Sequence, residues 1–189
     1  MKVELIALTR FLGGEGTPEE LLELAGRICY RSAPRGNPGD FVMKRVREGH
    51  ESIIEHASAT FLISGISRAC SHQIVRHRIA SYSQESQRYV DMSEPEYVVP
   101  PAVAGNAEAQ AIWDEFTAQA EKAYAGLRAL GVRKEDSRFL LPNATTTRLV
   151  MTMNFRSLRH FFSVRCQRDA QWEVREVAKE MLKQIYHAA

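Results

Sequence analysis

A change of hydrophobic period partway along this chain restricts its fold more than any other feature. From Ala107 to Leu130, apolar residues recur at helical spacing (Ile112, Phe116, Ala120, Ala123, Leu127), and Gly131 ends the run. Residues 145–154, TTTRLVMTMN, are then β-branched and alternating, which is the period of a strand. Both periods occur earlier too. The N-terminal MKVELIALTRFLGG carries a short apolar run broken by Glu4 and Arg10 and reads as a first strand. Thr17-Pro18-Glu19-Glu20 is a helix start, with Thr17 as cap, Pro18 in the first turn and Glu20 closing a capping box. That helix runs through LLELAGRICY and stops near Ser32.

The stretch APRGNPG, Ala33 to Gly39, is turn chemistry and is expected to be a mobile loop. A short helix from about Asp40 to Glu48 follows, ended by Gly49, then a strand over 57–63 and a helix from Arg68 to Arg76. Pro95, Pro100 and Pro101 mark a linker, and a brief helix at 134–141 ends before Pro142. RSLRHFFSVR and a segment from about Gln171 to Tyr186 complete the helices. Neither repeats nor a domain boundary interrupt residues 1–189, so one compact domain of α/β or α+β class is expected.

Composition serves mainly to exclude. A length of 189 residues with 44% apolar and 25% charged side chains suits a soluble globular domain. The formal charge of +2 is too small for bulk nucleic-acid binding, so basic character must be local. The N-terminus does not read as a signal peptide, and no apolar run reaches the roughly 20 residues of a membrane helix. Cys29, Cys70 and Cys166 are odd in number and widely spaced, without a CxxC pair. They support neither a zinc knuckle nor a disulfide framework, and a reduced, cytoplasmic setting is expected.

The chemistry concentrates between Arg76 and Tyr89, RHRIASYSQESQRY. Arg76, Arg78, Arg88, His77, three serines and two glutamines stand there against one acid, Glu85. Guanidinium forks match phosphate oxygens bidentately, and the hydroxyls and amides add neutral partners. The mixture is ill suited to a core and well suited to a phosphorylated ligand carrying a heterocycle. Ser86 also admits a reading as a nucleophile, but no adjacent base with an orienting third group can be read. His50 and His56 raise the question of a metal, yet HExxH is absent and a separation of six places the rings on different helix faces. Gln73 lies three residues before Arg76, on the same face if that segment is helical.

These segments resemble the flavin-dependent thymidylate synthases, whose signature is written RHRxxSxNxxSxR. Arg76, His77, Arg78, Ser81, Ser86 and Arg88 match it, Ser83 stands where the pattern has Asn, and Gln84 where many members have Glu. GHESIIEH at 49–56 is similar to the family's GHxSxxEH, and MNFRSLRHFFSVR to its NxRSL segment, with His160 where many members have Asn.

The resemblance implies a central, mostly antiparallel sheet flanked by helices. For FAD it implies contacts from Ser52, Arg76, His77, Arg78, Asn154, Arg156 and His160. Deoxyuridine monophosphate (dUMP) would be held by Gln73, Arg76, Gln84, Glu85, Ser86, Gln87, Arg88, Arg138 and Arg165, with Arg165 activating the pyrimidine. It further implies methylenetetrahydrofolate and NADPH as co-substrates, no metal, and a homotetramer whose sites are shared between subunits. His160 and Arg165 fall five apart and are expected on different helix faces, with separate tasks on flavin and nucleotide. Nucleic acid and membrane are not expected partners. Two other readings stay open: an RNA- or nucleotide-binding module stacking bases on Tyr82 and Tyr89, and a flavin oxidoreductase acting on another substrate.

Overall fold

The structure, a computed structural model, describes residues 1–188. Strand β1 (Lys2–Leu8) leads to helices α1 (Pro18–Ile28) and α2 (Pro38–Arg47) and a 3-10 turn, Glu51–Glu55. Strand β2 (Ser58–Ser67), helix α3 (Arg68–Ile74) and strand β3 (Ser81–Gln84) follow. Next come α4 (Pro101–Ala104), α5 (Ala107–Ala129), α6 (Lys134–Ser137) and a 3-10 turn, Arg138–Leu140. Strand β4 (Thr146–Asn154), α7 (Phe155–Arg165) and α8 (Trp172–Ala188) end the order. The four strands form one antiparallel sheet in the order β1-β2-β4-β3, so the class is α+β.

Local chemistry accounts for most boundaries. Thr17 accepts from the Glu20 backbone while Glu20 reaches back to Thr17, the capping box expected at the start of α1. Asn37 caps α2, which begins at Pro38, two residues earlier than the sequence suggests. Gly49 and Gly131, with φ of 88° and 80°, take the left-handed conformation after α2 and α5 that a side chain would oppose.

By internal contacts the chain divides into two compact units. One comprises Met1–Lys2, Ser64–Gln73 and Gln84–Leu149; the other comprises Val3–Ile63, Ile74–Ser83 and the described residues from Val150 on. In the second unit, Thr9 N–H donates to the Ser58 carbonyl, Thr60 and Thr152 hydroxyls meet at 2.9 Å, and Phe155 N–H donates to Ala57. These contacts set the register of β1, β2 and β4. A cluster of Leu22, Val42, Ile53, Ile54 and Ala57, packed by Phe41, Val46 and Phe155, fixes the Glu51–Glu55 turn. Leu158 and Phe161 of α7 are buried, as are Val174, Val177, Ala178 and Met181 of α8. Each of these larger side chains, Ala178 apart, stabilises the fold by about 1.5–3 kcal/mol on leaving water.

In the first unit, Arg68 and Ala69 N–H groups donate to Thr145 and Asn143 carbonyls, joining the end of β2 to the start of β4. Helix α5 has the expected span, but its buried line is Thr117, Ala120 and Tyr124, not the whole apolar series. Ile112 and Phe116 are 70% and 54% exposed. Helix α3 stops at Ile74, so the one-face relation expected of Gln73 and Arg76 does not apply.

Candidate active site

The second unit holds an open cleft of ≈ 990 Å3 lined by Glu51, Glu55, residues 76–79, Asn154 and one face of α7. Arg76, Arg78, Arg156, Arg159 and Arg165 all line it, against Glu51 and Glu55. The loop carrying Arg76, His77 and Arg78 is tied down by Tyr82. Its hydroxyl lies 2.9 Å from the Ile74 carbonyl and 2.8 Å from that of His77, and it donates to both in turn. The Ile74 carbonyl also accepts from His77 N–H at 3.2 Å, so the turn after α3 is fixed by backbone and side chain together. Burial pushes the Tyr82 phenol up to about 12, so it remains a donor at any working pH.

On the opposite wall, Asn154 caps α7 by accepting from Ser157 N–H at 2.8 Å. Arg156 pairs with Glu55 and, at 3.6 Å, with Glu51, while Arg159 also pairs with Glu51. Arg76 and Arg78 are exposed and take part in none of these pairs. Arg165, the last residue of α7, donates from Nε to His77 Nε2 at 3.0 Å. The His77 ring packs edge-on against Phe161, 4.8 Å between centroids, and stands 5.8 Å from His160. Burial first, then the charge of Arg165 and the neighbouring His160, push the His77 pKa down to about 4. The imidazole is therefore neutral at pH 7.

The first unit gathers the other candidates. Arg88 Nε lies 3.1 Å from the Glu135 carboxylate and Arg138 Nε donates to the Glu135 carbonyl at 3.2 Å. Two arginines fifty positions apart thus meet at one residue. Glu85 is held by Arg148 at 2.9 Å, and its carbonyl accepts from Arg68. Gln84 spends its amide nitrogen internally, on Ser71 at 2.9 Å and Thr147 at 3.2 Å. Ser86 Oγ accepts from Arg88 N–H at 3.3 Å, shaping the turn that presents Arg88. Burial first, then the charge of Arg138, lower the pKa of Arg68, and the Glu85 carboxylate opposes them.

Of the residues selected from the sequence, Arg76, His77, Arg78, Asn154, Arg156, His160 and Arg165 share the cleft. Ser52 is exposed on the Glu51–Glu55 turn and is not among its lining residues. Gln73, Gln84, Glu85, Ser86, Gln87, Arg88 and Arg138 belong to the other unit. His160 and Arg165, expected on different helix faces, both line the cleft, and Arg165 at the end of its helix reaches His77. Tyr82, one of the two tyrosines a base-stacking reading would use, is occupied in anchoring backbone. Sequence reasoning passed over Glu51, Glu55, Arg159, Glu135 and Arg68. The first three had a signal, since Glu51 and Glu55 are four apart and Arg159 lies one turn from Arg156. Arg68, at a strand-to-helix junction, had none.

The chain can be set beside known proteins. Residues 10–189 match the family described as "Thymidylate synthase complementing protein". A protein of Nitratidesulfovibrio vulgaris named flavin-dependent thymidylate synthase is 45% identical over 203 residues, covering 96% of this chain and 80% of that one. One of the same name from Geobacter sulfurreducens is 45% identical over 179 residues, 89% of this chain and 77% of its own length. Another from Mycobacterium sp. (strain JLS) is 37% identical over 221 residues, covering all of this chain and 87% of the relative.

Proposed function

This chain belongs to the flavin-dependent thymidylate synthase family, an enzyme family, and from that premise we propose how its residues divide the work. The reaction is the reductive methylation of dUMP to thymidylate, with methylenetetrahydrofolate as one-carbon donor. The reducing equivalents for the new methyl group come from NADPH by way of bound FAD.

The cleft of the second unit is the flavin site. One observation carries this reading: segments near residues 76–79 and 154–165, remote in sequence, line a single basic cleft together with the N-terminus of α7. Arg76, Arg78 and the first turn of α7 fit a diphosphate, since both guanidinium groups and helix N-termini favour anions. Asn154, Arg156, His160 and His77 complete the cofactor contacts within the cleft, and Ser52, on the adjoining Glu51–Glu55 turn, adds one from outside its lining. Arg88 and Ser86, with Arg138, hold the phosphate of dUMP, and Gln73, Gln84, Glu85 and Gln87 surround its nucleoside. Arg76 is shared between cofactor and substrate.

Arg165 activates the pyrimidine. A guanidinium set at the N3–C4–O4 edge stabilises negative charge building on the ring and raises nucleophilicity at C5. Arginine keeps its proton, so it acts as an electrostatic anchor and not as a base. The enzyme is a cytoplasmic homotetramer in which the nucleotide loop of one subunit serves a neighbour's flavin. The exposed Ile112 and Phe116 on α5 support subunit packing. Among the described residues, no helix is long and apolar enough to cross a membrane.

The test is spectroscopic. Purified protein should be yellow, bleach with NADPH, and reoxidise only with dUMP and folate together. Arg165→Ala should keep FAD and lose methyl transfer by ~10²–10³, the usual cost of one preorganised electrostatic donor. Near-normal turnover would remove Arg165 from the role. Colourless protein unable to bind FAD would favour the RNA-binding module instead.

A further inference from the structure

We propose that His77 is a positioning residue for Arg165: its uncharged imidazole, anchored through its own carbonyl by Tyr82, accepts the Arg165 Nε–H and aims the guanidinium. The inference rests on the reading of Arg165 as the group that acts on the pyrimidine.

Three contacts define the arrangement. Arg165 Nε lies 3.0 Å from His77 Nε2, and Nε always carries a hydrogen, so the imidazole nitrogen must accept. The ring is held from one side by Phe161, which is fully buried, with centroids 4.8 Å apart. Its backbone is held by the Tyr82 hydroxyl, 2.8 Å from the His77 carbonyl. Fixing Nε sets the plane of the guanidinium and the direction of its Nη groups. That matters because Arg165 is the last residue of α7, where the helix itself gives the side chain little guidance.

The hydrogen bond has a chemical requirement. Nε2 can accept only if the ring proton is on Nδ1 and the imidazole is not doubly protonated. The surroundings enforce this. Arg165 and His160 face the ring from α7, and Arg76 and Arg78 flank it on its own segment. Glu51 and Glu55, the carboxylates lining the same cleft, are engaged by Arg156 and Arg159. A cationic His77 would lose its bond to Arg165 and add a like charge beside it.

The first measurement needs neither flavin nor substrate: 15N NMR of histidine side chains in the whole chain. The expected result at neutral pH is an Nδ1–H tautomer for His77. An Nε2–H tautomer, or a doubly protonated ring at pH 7, overturns the proposal. The second is a double-mutant cycle on single-turnover methyl transfer, scored with flavin absorbance to confirm loading. His77→Phe keeps the aromatic packing and removes the acceptor, and should slow the step ~10–100-fold, the scale set by misplacing a reacting group by about 1 Å.

His77→Gln, whose amide oxygen can accept, should recover part of that loss. In an Arg165→Ala background, compared at equal flavin loading, His77→Phe should cost much less than it does when Arg165 is present. A fully additive cycle with a crippled Arg165→Ala enzyme sinks this inference alone. An Arg165→Ala enzyme of near-normal rate sinks the underlying reading, and the positioning role falls with it.

Discussion

The cleft of the second unit and the loop of the first are both rich in arginine, but they neutralise it differently. In the cleft, the carboxylates hold Arg156 and Arg159 on one wall, while Arg76 and Arg78 stand outside those pairs and Arg165 rests on a neutral imidazole. In the loop, Arg88 is paired with Glu135, Arg148 with Glu85, and Lys134 with Asp91. The cleft therefore leaves Arg76 and Arg78 exposed beside carboxylates that are already paired. In the loop the paired guanidinium groups of Arg88 and Arg148 are exposed, and such solvent-facing pairs contribute only about 0–1 kcal/mol, so an incoming phosphate can exchange for them. Under the proposed division of work, a cofactor kept through many turnovers would meet the first arrangement and a substrate that binds and leaves would meet the second.

Exchanging the two regions' arginines for alanine gives the largest contrast. Arg88→Ala should raise the KM for dUMP ~10–150-fold, since hydrogen bonds to charged groups contribute ~1.5–3 kcal/mol, and should leave flavin content unchanged. Arg78→Ala should weaken FAD retention by a similar factor and leave the KM for dUMP unchanged in protein reloaded with flavin. Titration of flavin absorbance and steady-state kinetics read the two effects separately. Equal effects of both variants on both quantities would erase the division.

A smaller effect comes from pH. His77 has a folded pKa near 4 against an ordinary value of 6.5, so the unfolded chain binds more protons between them. Stability should fall as pH drops from about 6.5 toward about 4 and gain no further loss from this group below that. Glu20, held low by backbone N–H donors of Glu15 and Thr17, adds its own loss only in the carboxylate range. Denaturant unfolding of wild type and His77→Gln at pH 7, 5.5 and 4.5 isolates the histidine. The variant should lack the upper part of the slope. No histidine lies in residues 81–90, so variants there should keep it.

The smallest effect is expected of the cysteines. Cys29 is exposed, Cys70 is buried, and burial raises the Cys166 thiol, leaving it protonated and a poor nucleophile at neutral pH. Replacing each with Ser or Ala should preserve turnover, with Cys70→Ala costing on the order of 1 kcal/mol in stability. Loss of chemistry in any one of them, with folding and flavin intact, would place a nucleophile where neither region supplies one.

Elements whose reasons are local were legible in the sequence. The Thr17–Glu20 capping box, the glycine stops at Gly49 and Gly131 and the alternation of β4 all depend on neighbours within a few residues. Strand β3, inside the signature, went unread. Only four residues long and polar, it is a strand because β4 lies beside it, as the Glu85 N–H to Arg148 carbonyl bond at its end shows. The short 3-10 turn at Glu51–Glu55 was missed for a similar reason, since the buried Ile53 and Ile54 hold it.

Side-chain identity and order pointed to RHR and the Ser86–Arg88 turn as candidate anion-binding chemistry, because guanidinium groups match phosphate oxygens, whereas the NxRSL segment stood out only by resemblance. Which arginines are kept on acids and which stand open, that Arg165 leans on His77, and that Tyr82 anchors a loop rather than a ligand were decided by folding. Those facts concern atoms 88 residues apart in one case and a single hydroxyl's choice of partner in another. Distance and direction exist only once the backbone has closed, and hydrogen bonds are made or lost within a few tenths of an ångström.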